Sequence, residues 1–158
     1  MSGIRRRDFV ILLGGAAAWP LAARAQQAGA MPRIGLLSVF AESDPEGQAL
    51  IRELMQGLQE LGWVNGRNVR IDFRFGGDDA AHISTLATEL IELRPDVVLA
   101  AGALAATALR QQSLSIPIVF VQVVDPVSAG FVTNLARPEG NITGFTNFEF
   151  SVGVAAAA

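Results

Sequence analysis

Short apolar runs alternate along this chain with segments whose apolar residues recur every three or four positions, and that alternation restricts the fold more than any other feature. Arg33 to Val39 (Arg-Ile-Gly-Leu-Leu-Ser-Val) is nearly all apolar, which suits a strand covered on both faces rather than one with a wet side. Glu46 to Leu61 reads as an amphipathic helix carrying Leu50, Ile51, Leu54, Met55, Leu58 and Leu61 on one side. Asp44-Pro45 supplies its cap and first turn, and Gly62 its stop. Val69 to Phe75 alternates apolar and polar residues, as an edge strand does. Gly76 to Asp79 is a turn with an aspartate placed to cap the helix Ala80 to Leu93. Val97 to Ala101 is a second buried strand, Gly102 turns the chain, and Ala103 to Gln112 is a small-residue helix. Ile118 to Val124 is the fourth strand, Phe131 to Leu135 a single helical turn, and Asn141 to Phe145 a fifth strand. The order predicts an α/β fold: a parallel, doubly wound, flavodoxin-like sheet of order 2-1-3-4-5 with right-handed crossovers.

The N-terminus follows a different logic. Arg5-Arg6-Arg7 precedes an apolar run from Phe9 to Ala23, and Ala23-Arg24-Ala25 places small residues where a signal peptidase reads. This is the three-part secretory pattern. The run spans about 15 residues, short of the ~20 that a membrane-spanning helix needs, and Gly14, Gly15 and Pro20 weaken it further as a span. Cleavage is expected after Ala25, leaving an exported chain that begins at Gln26 with no stable membrane span. Arg6-Arg7-Asp8-Phe9 also resembles the twin-arginine export signal, the alternative being an ordinary Sec leader.

Charge and composition narrow the chemistry. Beyond residue 25 the chain holds 8 Arg against 14 Asp and Glu, a net charge of −6, with no basic patch. Nucleic-acid binding needs clustered positive charge and is not expected. Cysteine is absent and His82 is the single histidine, so thiolate chemistry and a transition-metal site are not expected. There is no GxGxxG at the first turn and no GxxxxGK[ST], the usual phosphate cradles. On these residues no cofactor is expected.

In an open parallel sheet, ligands gather beyond the carboxyl ends of the strands, near the point where strand order reverses. That rule selects the segments Ser38 to Ser43, Ala101 to Ala106, Gln122 to Pro126 and Thr143 to Thr146, and within them Ser38, Gly102 with Ala103 and Ala105, Asp125 and Thr143. Gly102 opens a helix whose first N–H groups favour an anion, or else it simply makes a tight turn. Asp125 either accepts from a ligand amine or caps the Asp-Pro turn. Ser38 either meets a ligand or satisfies loop backbone.

Several stretches together resemble a known family. They are the leader from Arg5 to Gln27, Ile34-Gly35-Leu36-Leu37-Ser38, Leu61-Gly62-Trp63-Val64-Asn65-Gly66-Arg67-Asn68-Val69, Ile116-Pro117-Ile118-Val119-Phe120, Asp125-Pro126-Val127, and Leu135-Ala136-Arg137-Pro138-Glu139-Gly140-Asn141-Ile142-Thr143-Gly144. They are similar to ABC-transporter substrate-binding proteins of the tryptophan/tyrosine (TrpX-like) type. The resemblance implies one lobe of a type I periplasmic binding protein, which is no enzyme but passes a small solute, an amino acid or small carboxylate, to an inner-membrane ABC permease. The expected organisation is an export signal over 1–25, a linker over 26–32, the N-terminal αβ lobe over 33–150 and an irregular tail over 151–158. Relatives continue into a second lobe, so a single lobe is expected to bind solute weakly. Two other readings are a small exported flavodoxin-like enzyme and a ligand-sensing lobe that docks on a membrane receptor.

Overall fold

The computed structural model describes residues 31–134 and 140–146. The chain divides at Met31/Pro32, and the elements below belong to the second part. They are β1 (Arg33–Ser38), α1 (Pro45–Glu60), β2 (Arg70–Phe75), α2 (Ala80–Glu92), β3 (Val97–Ala101), α3 (Ala103–Gln112), β4 (Ile118–Val121) and β5 (Ile142–Gly144). All pairings are parallel and the sheet order is β2-β1-β3-β4-β5, as the alternating pattern predicts.

Local signals act as read. The Asp44 carboxylate accepts from the N–H groups of Glu46 and Gly47 at 2.8 and 3.2 Å, with Pro45 in the first turn of α1. Asp79 does the same for α2 through Ala81 and His82, at 2.8 and 3.2 Å. His82 is exposed on that helix.

The register sorts residues to the two faces of the sheet. Gly35, Val98, Ile118 and Ile142 form one row, and Leu37, Ala100, Phe120 and Gly144 the next. These rows meet Ile83, Ala87 and Leu90 of α2 and Ala105 and Leu109 of α3 in a single core. Leu37, Val98, Ile118 and Phe120 are fully buried there, and burying a side chain of this kind contributes about 1.5–3 kcal/mol. The other face carries the rows Leu36–Leu99–Val119–Thr143 and Ser38–Ala101–Val121. It turns toward α1, which lies over the β1 side and leaves Leu99, Val119 and Val121 only half-buried.

Polar anchors collect at the end of the sheet where the strands begin. The Arg33 guanidinium donates to Asp72 at 2.6 Å and to the Leu93 carbonyl at 2.9 Å, and the Arg33 N–H donates to Asp96 at 2.7 Å. The Arg33 hydrogen bond and charge, with Arg70 also nearby, hold the Asp72 carboxyl below its ordinary range despite partial burial. The Asn141 amide donates to the carbonyls of Ile116 and Ser113 at 2.7 and 3.3 Å, tying the start of β5 to the loop before β4.

Two elements differ from the sequence reading. β4 stops at Val121 rather than Val124, because Gln122 adopts φ +58 and leaves the extended region. The left-handed step turns Val123 back into the core. The helical turn expected at 131–135 is not helical over 131–134. The tight turns fall earlier, where Ala129 donates to the Asp125 carbonyl and Phe131 to that of Pro126. Leu135 and the tail lie outside the described residues, as do the leader residues Arg6, Arg7, Phe9, Ala23 and Ala25. Among the described residues no helix is long and apolar enough to cross a membrane.

Candidate functional site

The strands deliver Ser38, Ala101, Val121 and Gly144 to one edge of the sheet, all at carboxyl ends. Phe145 continues the last strand's bonding by donating to the Phe120 carbonyl at 3.0 Å. Alternation puts Phe145 on the α1 face with Ser38, Ala101 and Val121. Between this face and α1 runs a trough of about 400 Å³, within the size range of small-molecule sites. Leu36, Leu99 and Val119 floor it, Leu50 and Leu54 of α1 wall it, and Ser38, Gln122 and Phe145 stand at its strand-end mouth. The floor is apolar because a strand covered on both faces needs apolar residues on both. The opening exists because α1 reaches only part of the sheet.

Of the residues chosen from sequence, Ser38 alone lines this trough. It is buried, its hydroxyl oxygen accepts from the Phe40 N–H at 3.1 Å, and its carbonyl accepts from Gly76 at 2.9 Å. Ser38 therefore satisfies loop backbone and also faces the trough.

Gly102 leaves the same edge toward the opposite face. It has φ +101 and ψ 157, and a Cβ there would stand 2.7 Å from a Val39 methyl. Its N–H donates to the Val121 carbonyl at 3.0 Å, and its carbonyl receives the first bond of α3, from Ala106. The N–H groups of Ala103, Leu104 and Ala105 precede that ladder, as at any helix start. Ala105 is fully buried, while Ala103 is exposed.

Asp125 lies past the edge and spends its carboxylate locally. The Ser128 hydroxyl and N–H, the latter at 2.9 Å, stabilise the charged form and hold the carboxyl below its ordinary range. That geometry is the capping one. Thr143 is exposed on the α1 face, opposite Val119.

Gln122 and Phe145 fall within the strand-end segments selected from sequence, but neither was singled out as a candidate. Phe145 is 72% exposed at the mouth of the trough. Gln122 holds a backbone conformation rare for a residue with a Cβ. Its Oε1 is, among the described residues, the buried side-chain oxygen or nitrogen that finds no hydrogen-bond partner. The available signal was one amide inside the run Ile118-Val119-Phe120-Val121-Gln122-Val123-Val124.

Comparison with known proteins gives consistent results. The sequence pattern of the family described as ABC transporter substrate binding protein matches residues 38–151. A tyrosine-binding protein of Clostridioides difficile is 30% identical over 94 residues, 60% of this chain and 27% of that protein. A Streptococcus pneumoniae ABC domain solved in complex with L-Trp superposes with a TM-score of 0.68 at 28% identity, covering 74% of this chain and 39% of the other. A ligand-free, open substrate-binding protein with adhesive properties from Clostridium difficile gives 0.69 at 27% identity, covering 75% and 39%. The chain thus spans between about a quarter and two fifths of the length of these relatives.

Proposed function

The chain belongs to the ABC transporter substrate-binding protein family and folds as one lobe of a type I periplasmic binding protein, and on that premise we propose that its strand-end edge is one wall of a solute cleft. The solute is an amino acid with an apolar side chain, held between this wall and a second αβ lobe and passed to an inner-membrane ABC permease. The observation that carries the reading is the trough of about 400 Å³ opening at the carboxyl ends of β1, β3 and β4. The apolar rim supports it: Leu104, Val124 and Phe145 are exposed there by 45, 58 and 72%. Residues of that kind at a ligand edge are covered when solute and opposing lobe close. The named ligands of two relatives, tyrosine and L-Trp, give the class.

The leader reading belongs to the same proposal. The first 25 residues direct export and are removed after Ala25, so the solute is met in the periplasm.

A single wall holds solute weakly. A helix start contributes typically ~0.3–1 kcal/mol toward an anion when exposed, whereas micromolar capture requires about −8 kcal/mol. Calorimetry with L-tryptophan and L-tyrosine is expected to show no saturation at micromolar concentration for this chain. Joining it to the second lobe of a full-length relative is expected to restore saturable heat. A joined protein that binds neither amino acid, while its parent relative does, would remove the edge described here from the binding cleft.

A further inference from the structure

The trough at the strand ends is almost wholly apolar, yet it contains one polar group in an unfavourable state. Gln122 lines the trough at its mouth. Its backbone is held at φ +58, where a Cβ crowds the carbonyl that follows. Its Oε1 is buried and meets no donor among the described residues. A buried acceptor left unpaired is a standing penalty against folding, and native proteins pair nearly all such groups. Two unfavourable features on one residue, at the mouth of a cavity, mark a side chain kept for something other than the scaffold.

The charge around the trough says which partner fits. Among the described residues that line it, Glu53 is the one charged residue and none is an arginine. An acceptor oxygen at the mouth and an exposed carboxylate on the α1 side suit a cation better than an anion. The remaining lining, Leu99, Val119, Val121 and Phe145 among it, suits an apolar body.

We propose that Gln122 is the residue of this wall that reads the solute's ammonium group, so that the trough selects amines with an apolar body. The proposal rests on the solute-cleft reading above and adds to it a residue and a ligand group. Oε1 is shut off from solvent, so the side chain must turn into the trough to meet the ligand. That rotation exchanges an unpaired acceptor for a charge-assisted hydrogen bond, which is the stronger kind. The unpaired state therefore favours the turn, and the ligand supplies the donor that holds it there. A carboxylate, where the solute has one, is left to groups outside the trough.

The test uses the full chain, isotope-labelled, with three single compounds titrated to millimolar concentration. Tryptamine carries the ring and the amine, indole-3-propionate the ring and a carboxylate, and L-tryptophan both. Tryptamine and L-tryptophan are expected to shift the Gln122 side-chain amide and the backbone amides of Ala101 and Phe145, and indole-3-propionate much less. Gln122→Met keeps the length and removes the acceptor. It is expected to weaken tryptamine binding by about tenfold or more and, because an unpaired buried acceptor is gone, to unfold a few degrees higher than the parent. Gln122→Glu is expected to keep tryptamine binding and to abolish any shift by indole-3-propionate.

Tryptamine binding equally well to the Met variant would overturn the role of Gln122 while leaving the solute cleft in place. A Met variant that unfolds below the parent would also overturn it, by showing that the amide serves the scaffold. If none of the three compounds shifts any trough residue of the parent chain, the cleft reading falls and the proposal falls with it.

Discussion

Replacing Gly102 by alanine tests whether this glycine is demanded by the backbone or by a ligand. At φ +101 and ψ 157 it occupies a region that residues with a Cβ almost never enter, and forcing one there costs about 1–3 kcal/mol. The added methyl would also stand 2.7 and 2.9 Å from the two methyl carbons of Val39, a half-buried side chain packed against the core. Overpacking of that degree costs a further ~1–3 kcal/mol. Gly102→Ala is therefore expected to destabilise the lobe by about 2–6 kcal/mol in urea unfolding, without any ligand present. The two contributions separate in a double-mutant cycle. In a Val39→Ala background the steric part disappears and the backbone part stays, so the pair should couple by about 1–3 kcal/mol. A Gly102→Ala variant within about 0.5 kcal/mol of the parent would refute the backbone argument. Zero coupling would show that Val39 yields freely. The same reasoning makes Gly102→Asp a poor probe of anion binding, since folding suffers first. Ala103→Pro is the better one, because proline is tolerated at the first helical position and removes an N–H there.

Three further outcomes are expected. Asp72 has a lowered folded-state pKa, so its contribution is complete above its ordinary value near 3.8 and is lost as pH falls through the lower folded value. Asp72→Asn should cost about 1.5–3 kcal/mol at neutral pH and flatten the acid limb of the stability curve, and an unchanged acid limb would remove the Arg33 pair from the account. Hydrogen exchange should be faster at Thr143 and Phe145 than at Val98 to Ala101, because β5 is a three-residue edge strand, and equal protection would contradict this. N-terminal sequencing of exported protein should begin at Gln26, with export blocked when Arg6 and Arg7 are both lysine if the route is twin-arginine. A retained leader would count against export altogether.

The elements whose formation is local were open to reading from sequence. Asp44-Pro45 and Asp79 cap their helices through bonds two and three residues away, and the alternation in Val69 to Phe75 does mark the edge strand. The candidates Ser38, Gly102 and Asp125 followed from strand ends, and the structure does place them around one edge, although on different sides of it. What sequence could not show depends on register. Ser38, Ala101, Val121 and Phe145 come from four strands, and only pairing reveals that they share a face. The left-handed turn at Gln122 was hidden because glutamine carries no preference for it, so the apolar run read as continuous strand. The trough itself is a shortfall of covering by one helix, a quantity no single segment encodes.

The two ends of the sheet have unequal freedom to change. Arg33, Asp72, Asp96 and Asn141 hold the end where the strands begin, and a substitution there is felt through several loops at once. The opposite end is largely pinned by main-chain bonds, such as Gly102 to Val121 and Phe145 to Phe120, which do not depend on the side chains they connect. Most of the rim can therefore be rewritten by drift or selection while the lobe stays folded. A lineage built on this lobe could exchange one solute for another in single steps, and a mutational scan should find tolerance at Leu104, Val124 and Phe145 and intolerance at Arg33.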